Sequence, residues 1–353
     1  MSDIPVGILG ATGMVGQRFI QLLADHPWFK VTSLAASDTS AGRPYAEACH
    51  WVLPTAMPEA VRDLTVRPID QALHCPLVFS ALPSDVAGPV EEYLADSGIV
   101  VCTNASAHRL DIDVPLLIPE VNAHHTALIG SQRRRRGGQG FIVASANCSA
   151  TQLALGLKPL HDVFGLRQVS VVTMQAVSGA GYPGLPALDI LGNVIPFIAG
   201  AEQKLESEPV KILGQLNDGQ ISNASFGISA QCNRVPVRDG HTECVSVQLE
   251  REASAKEVIA ALEDFSGSTE VRALPSSPSR PILIADEGDR PQPLRDRDSG
   301  SGMCITVGRV RSCPVLDFKF VLLGHNTLRG AAGGSIHNAE LLVAQGWLRR
   351  PRG

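Results

Sequence analysis

This chain of 353 residues is best introduced by what it lacks. No basic segment followed by a long apolar stretch opens it, and no apolar run reaches membrane-spanning length, so a cytoplasmic protein is expected. Positive charge is not in excess. Thirty Lys and Arg against 35 Asp and Glu leave a net charge of −5, which argues against nucleic acid or an anionic membrane as partner. The cysteines (Cys49, Cys75, Cys102, Cys148, Cys232, Cys244, Cys304 and Cys313) form no Cys-x-x-Cys pair and no metal-ligand spacing. In a reducing compartment most of them are expected to be buried apolar residues, with room for one nucleophile, and no metal site is expected. Internal repeats are absent as well.

What remains is a globular composition, 44% hydrophobic and 18% charged, at a length that suits two domains. Over the first 150 residues apolar runs alternate with helical patterns, which predicts βαβ units and a parallel sheet. Strands are expected at Val6 to Leu9, Val31 to Ala35, Leu77 to Ala81 and Ile99 to Cys102, with a helix at Val15 to Ala24. Residues 166–173 and 243–250 carry the β-branched alternation of a more antiparallel second sheet. Helical patches cover Leu188 to Ala199, Glu202 to Leu213 and Gly333 to Gln345. Residues 275–300, rich in Pro, Ser, Asp and Arg, read as a loop, and Arg133 to Arg136 before Gly137-Gly138 as a solvated one.

Gly10-Ala11-Thr12-Gly13-Met14-Val15-Gly16 follows the first strand and opens the first helix. Glycines there let backbone N–H groups approach a pyrophosphate, and the helix start favours its charge, so this loop is a cofactor candidate. Next, the second strand runs into Ala36-Ser37-Asp38-Thr39-Ser40, where an adenosine ribose would sit. Ser37 and Ser40 suit a 2′-phosphate, whereas Asp38 suits a free hydroxyl, which leaves NADP and NAD both open.

A second strand-to-helix junction is Phe141 to Ser145, then Asn147-Cys148-Ser149, then the helical pattern Leu153 to Leu160. A cysteine opening a helix gains from the dipole, which favours thiolate; an inert buried thiol fits the local pattern equally well. Three polar residues add weight. Gln175 ends the strand Val171 to Gln175 ahead of Ser178-Gly179-Ala180-Gly181, and Arg234 and His241 flank an expected strand and tight turn, Val235 to Gly240. A histidine near a thiol can act as base and acid, and an arginine can grip a carboxylate.

With these residues together the chain resembles the aspartate-β-semialdehyde dehydrogenase family, in its fungal and archaeal branch. The motifs run nearly end to end: GILGATGMVGQRF (7–19), SDVAG (84–88), Asn147-Cys148-Ser149, MQAVSGAGYPG (174–184), DILGNVIPFIAG (189–200), KILG (211–214), CNRVPVRDGHTECVS (232–246), DRPQPLRDRD (289–298) and HNTLRGAAGGSIHNAE (325–340).

The resemblance implies an α/β fold: a Rossmann-type doubly wound parallel sheet plus an α+β substrate-binding and dimerisation domain. The dinucleotide domain would be 1–147, completed by 326–353, and the catalytic and dimerisation domain 148–325. It implies Cys148 as nucleophile, His241 as acid–base residue and Gln175 as orienter of the acyl group. Arg234 would grip the substrate carboxylate, Arg109 and Asn147 the phosphate, and Lys204 the shared pocket. Gly10, Thr12, Gly13, Met14, Val15, Ser37 and Ser40 would hold the cofactor, with Ser178, Gly179 and Asn326 against the nicotinamide. NADP is the implied cofactor, an acyl phosphate and inorganic phosphate the small-molecule partners, and a homodimer or homotetramer the assembly. The reaction would be reductive dephosphorylation of L-aspartyl-4-phosphate through a thioester, in lysine, threonine and methionine biosynthesis.

Two specificity positions depart from the family pattern. The usual Gly-Glu-Glu-Asp/Glu-Lys is here Gly200-Ala201-Glu202-Gln203-Lys204, which makes Glu202 the candidate replacement carboxylate. Thr39 stands where an arginine is usual and Asp38 where a neutral residue is, so NAD stays in play. The competing expectations are a reductase of an acyl-CoA or another acyl phosphate, and a non-catalytic cofactor-binding regulatory subunit.

Overall fold

The computed structural model describes residues 3–69 and 73–349. Its first layer is a seven-stranded parallel sheet: β1 (Ile4–Leu9), β2 (Phe29–Ala36), β3 (Val66–Pro68), β4 (Leu77–Ser80), β5 (Val100–Thr103), β6 (Leu116–Leu117) and β7 (Phe141–Ser145), in spatial order β3-β2-β1-β4-β5-β7-β6. The central strands β4, β5 and β7 are buried along their whole length, because helices cover both faces of such a sheet. The helix Met14–Leu23 buries Gly16, Phe19, Ile20 and Leu23, an i, i+3, i+4, i+7 stripe. Strand order reverses between β1 and β4, which opens a crevice beyond their carboxyl ends.

After a helix (Cys148–Phe164) the chain builds a mixed sheet: β8 (Leu166–Gln175), a small hairpin of β9 (Gln215–Asn217) and β10 (Gln220–Ser222), β11 (Gly227–Arg234), β12 (His241–Leu249), β13 (Ile282–Ala285), β14 (Ile305–Ser312) and β15 (Phe318–Gly324). The six-stranded order is β11-β8-β12-β15-β14-β13, with β8, β12, β15 and β14 successively antiparallel. The cysteine helix lies between the sheets. Its Leu153, Leu155, Leu157 and Leu160 share a core with Ile142 of β7 and with Val169, Val245 and Phe320. The last helix, Gly333–Ala344, returns to the first sheet and packs Ile336, Ala339 and Leu342 beside Leu77, Phe79 and Val143. Among the described residues no helix is long and apolar enough to cross a membrane.

The parallel sheet, the antiparallel strands and the helix after Gly200 follow the sequence pattern. Several local expectations do not. Leu188 to Ala199 is helical only over Ala187–Ile190, since Gly192 turns left-handed at φ 70° and Pro196 cannot continue a helix. Arg133 to Arg136 is not a loop but the end of the helix Leu128–Arg136, closed by Gly137 at φ 66°. There Arg135 pairs with Asp113 at 2.6 Å, Arg136 with Glu92 at 2.7 Å, and Arg133 stacks over Phe141 and Trp347. The excursion 275–300 contains β13, whose Ile282 to Ala285 finds a partner in β14. Val235 to Gly240 is an irregular loop rather than a strand.

Candidate active site

Strand ends meet at one place. β7 delivers Asn147 and Cys148, β8 ends on Gln175, β11 ends on Arg234, β12 begins at His241, and β15 leads into His325 and Asn326. Because β8 and β11 run parallel and β12 runs against both β8 and β15, the termini of β8, β11, β12 and β15 lie at the same end of the second sheet, where His241 meets Cys148. Tertiary pairing thus gathers residues up to 179 positions apart, such as Asn147 and Asn326 (326 − 147).

Cys148 is the first residue of its helix. Asn147 caps it, its Oδ1 accepting from the N–H of Ser149 at 3.1 Å and of Ala150 at 3.5 Å. The Cys148 Sγ lies 3.1 Å from His241 Nε2. Burial raises the thiol above its ordinary value, while Arg109, the Ser149 N–H and Arg234 pull it back down, so the helix start moderates the shift rather than dominating it. His241 is fully buried, and its pKa falls to about 3 through burial first, then the charges of Arg234 and His325. The other ring nitrogen, Nδ1, accepts from the Ala176 N–H at 3.0 Å.

A cleft of about 480 Å³ opens over the sulfur. Its walls include Gly13, Met14 and Val15 from the glycine loop, Asn104 and Arg109, Asn147 and Cys148, Ser178 to Tyr182, and Asn326, Thr327 and Gly330. The glycine loop fits a dinucleotide's phosphates. Gly10 sits at φ 69°, where an added Cβ would come 2.6 Å from the Ala81 carbonyl oxygen, and no side chain caps the helix that Gly13 opens. Thr12 belongs to the same turn, its carbonyl held by Gln17 Nε2 at 3.0 Å. Beyond β2, Ser37, Asp38 and Thr39 are exposed, whereas Ser40 is buried.

Gln175 and Arg234 lie behind the cleft wall, buried. Gln175 Nε2 donates to Thr173 Oγ1 at 3.2 Å, and Arg234 Nη1 donates to the Ala176 carbonyl at 2.8 Å. Asn326 ties two loops together, its Nδ2 donating to Ser178 Oγ at 2.8 Å and its Oδ1 accepting from the Gly240 N–H at 2.8 Å. Glu202 and Lys204 stand apart from the cleft wall. The Glu202 carboxylate accepts from the Cys232 N–H at 3.1 Å, bracing β11, and Lys204 is half-buried beside Gly200.

Three further residues join the site without having been singled out. Glu208, buried, accepts from Arg109 Nη1 at 2.8 Å and from the Asn147 N–H at 2.6 Å, linking the arginine to the start of the cysteine helix. It lies one turn beyond Lys204 on the same helical face, a spacing that could have pointed to it. Asn104 lines the cleft with both carboxamide atoms buried and, among the described residues, unpartnered. Glu243, two residues after His241 on the same face of β12, is buried with both oxygens unpartnered among the described residues, and burial pushes its carboxyl well above the usual range.

Comparison with known proteins gives matches in both halves of the chain. Residues 5–129 match a family model described as the semialdehyde dehydrogenase NAD binding domain, and residues 157–329 match the semialdehyde dehydrogenase dimerisation domain. An aspartate-semialdehyde dehydrogenase of Archaeoglobus fulgidus is 53% identical over 341 residues, 96% of this chain and 98% of that protein. That of Schizosaccharomyces pombe is 45% identical over 351 residues, 97% of this chain and 98% of the relative. Among solved structures, the Candida albicans aspartate semialdehyde dehydrogenase with NADP superposes with a TM-score of 0.91 at 40% identity, covering 98% of this chain and 100% of that one. The chain belongs to the aspartate-semialdehyde dehydrogenase family.

Proposed function

We propose that this protein makes L-aspartate 4-semialdehyde from L-aspartyl-4-phosphate by NADP(H)-dependent reductive dephosphorylation, through a thioester on Cys148, in the branch of amino-acid biosynthesis leading to lysine, threonine and methionine. The observation that carries this is the Cys148–His241 contact of 3.1 Å at a helix start, on the cleft that the glycine loop also lines. A thiolate is a strong nucleophile and an adequate leaving group, as both halves of the reaction need. Arg109 and Asn104, with Asn147 beside them, form the phosphate subsite: among the described residues, the buried Nε of Arg109 and both polar atoms of the Asn104 side chain have no partner to satisfy them. Gln175 orients the acyl group and Arg234 binds the substrate carboxylate, with Lys204 contributing from beyond the cleft wall.

Gly10, Thr12, Gly13, Met14 and Val15 would hold the cofactor's phosphates, with Ser178, Gly179 and Asn326 beside its nicotinamide. Bound there, it would supply the hydride. Residues 1–147 with the returning segment from 326 are assigned to the dinucleotide-binding domain, and 148–325 to the catalytic and dimerisation domain; the stretch 350–353 lies outside the described residues. The assembly is a homodimer or homotetramer, which the exposed apolar segment Leu188, Leu191, Val194 and Phe197 supports, and its compartment is the cytoplasm.

The test is phosphate-dependent oxidation of aspartate semialdehyde, measured with NADP and with NAD. Turnover with NADP, lost in Cys148→Ser while cofactor binding persists, is the expected result. Exposed Asp38 predicts that the preference for NADP is modest. Absence of phosphate-dependent turnover with both cofactors would sink the reading.

A further inference from the structure

Arg109 sits on a segment with little of its own to hold it. Between β5 and β6, residues 105–114 form turns and bends rather than a helix or strand. The backbone bonds that close those turns are long: Arg109 N–H to the Ser106 carbonyl at 3.4 Å, Asp111 to His108 at 3.3 Å and Val114 to Asp111 at 3.3 Å. The outer side of the segment faces water, with Leu110 and Ile112 both exposed. Its inner side faces Lys211.

Lys211 comes from the last turn of the helix Ala201–Ile212 and is buried. Its Nζ donates to the carbonyls of Arg109 at 2.8 Å, Asp111 at 2.8 Å and Val114 at 3.0 Å. An ammonium has three N–H donors and no lone pair, so three carbonyls satisfy it completely. Burial lowers its pKa to about 8, against the pull of Asp111, Asp113 and Glu208, so the ammonium form prevails at neutral pH. Charge-assisted bonds are stronger than neutral ones, and here they outweigh the long turn bonds in fixing the backbone of Arg109.

Glu208 lies one turn earlier on the same helical face and accepts from Arg109 Nη1 at 2.8 Å. Arg109 Nη2 donates to the Asn104 carbonyl at 2.7 Å. One helix thus holds Arg109 twice, by its backbone through Lys211 and by its side chain through Glu208. Neither tether occupies Arg109 Nε, which among the described residues has no partner.

We propose that Lys211 is the positioning residue of the phosphate subsite: its ammonium fixes the segment 109–114, and through it the place of the Arg109 guanidinium on the cleft, without touching substrate. This rests on the reading of Arg109 as a phosphate-binding residue. Glu208 alone does not suffice, because a guanidinium held at its tip pivots when its own Cα moves.

Lys211→Met keeps the apolar stem and removes the ammonium. Lys211→Gln, with two N–H donors on a shorter stem, takes its place if the methionine variant does not fold. Misplacing a binding group by about 1 Å costs about 10²-fold, so in phosphate-dependent oxidation of aspartate semialdehyde kcat/KM for phosphate should fall by about 10–100-fold. The KM for aspartate semialdehyde and the Kd for NADP should stay within twofold of wild type. In an Arg109→Ala background the same substitution should cost nothing further, since Lys211 acts through that arginine. Calorimetric titration of NADP-loaded enzyme with inorganic phosphate reads the subsite without turnover, and the variant should bind about tenfold more weakly or worse. A folded variant that binds phosphate within twofold of wild type overturns the proposal. So does an equal loss for phosphate, semialdehyde and NADP, or a full loss repeated in the Arg109→Ala background. Wild-type enzyme that binds no inorganic phosphate refutes the reading of Arg109 and takes the proposal with it, whereas wild-type binding that the variant retains refutes the proposal alone.

Discussion

Replacing Gly330 by alanine would move Cys148 without removing any group that does chemistry. Gly330 lies in the wide turn Leu328–Ala332, and a Cβ built on it would stand 2.7 Å from Cys148 Cβ and 2.9 Å from its Cα. Ordinary contact begins at 3.4 Å, so something must retreat by about 0.7 Å. The turn is poorly placed to give way. The neighbouring Arg329 is buried and bonded to both oxygens of Glu120 at 2.8 and 2.6 Å, and the Gly330 N–H is held by the His325 carbonyl at 3.0 Å.

The displacement therefore falls mainly on the start of the cysteine helix, where Sγ must stay aligned with His241 Nε2. A misplacement of order 1 Å costs about 10²-fold in rate, so Gly330→Ala should lower kcat by roughly that factor or somewhat less. Overpacking should cost about 1–3 kcal/mol, a fall of a few degrees in Tm at this length. Gly138→Ala is the control, since nothing lies within 4 Å of its added Cβ. Steady-state turnover and the rate of Cys148 alkylation are measured side by side. If both stay within twofold of wild type while Gly330→Ala folds, the claim that this contact sets the sulfur's position is wrong.

Other perturbations probe the supports of the site. Glu208→Gln cannot accept from both Arg109 and the Asn147 N–H, so a buried charge loses its partner; stability should fall by about 3–5 kcal/mol in thermal or denaturant unfolding, with a raised KM for phosphate in the variant that folds. Asn326→Ala leaves the buried Gly240 N–H unpaired, which should cost about 1–3 kcal/mol and weaken cofactor binding by calorimetry; unchanged affinity would detach Asn326 from that loop's function. For Glu120, burial alone would raise the pKa, but Arg329 and His337 overcome it and bring it from 4.5 to about 2. Its stabilisation is therefore fully present above about pH 4.5 and lost as pH falls toward 2. Thermal scans across that window should show Tm falling in the wild type, with a shallower slope in Glu120→Gln.

Local signals made the nucleotide half of the molecule easy to read. Gly10 to Gly16 between a strand and a helix needs only neighbouring residues to be recognised, because both flanking periodicities are local. The cysteine helix was legible for the same reason. Leu188 to Ala199 misled because its apolar spacing suits a helix, yet Gly192 and Pro196 break it, and Ile195 instead exchanges backbone hydrogen bonds with Arg234. Arg133 to Arg136 looked solvated because its partners Asp113, Glu92, Asp96 and Trp347 are distant in sequence. Glu208, Asn104 and Glu243 went unmarked because their importance is a matter of what does or does not surround them. A bridging carboxylate, an unpartnered amide and a desolvated acid have no sequence pattern of their own.

The sequence by itself determined the parallel nucleotide-binding sheet, the glycine turn, a cysteine at a helix start and, through ordered motifs, the family. These depend on interactions within a few residues or on inherited residue order. Only the tertiary structure decided that the thiol meets His241 at 3.1 Å and that burial outweighs the helix start in setting its ionisation. It also decided that the Ala176 N–H meets His241 Nδ1 at 3.0 Å. Desolvation, hydrogen-bond direction and strand-end convergence arise only when distant segments pack together, and a linear string of residues does not contain them.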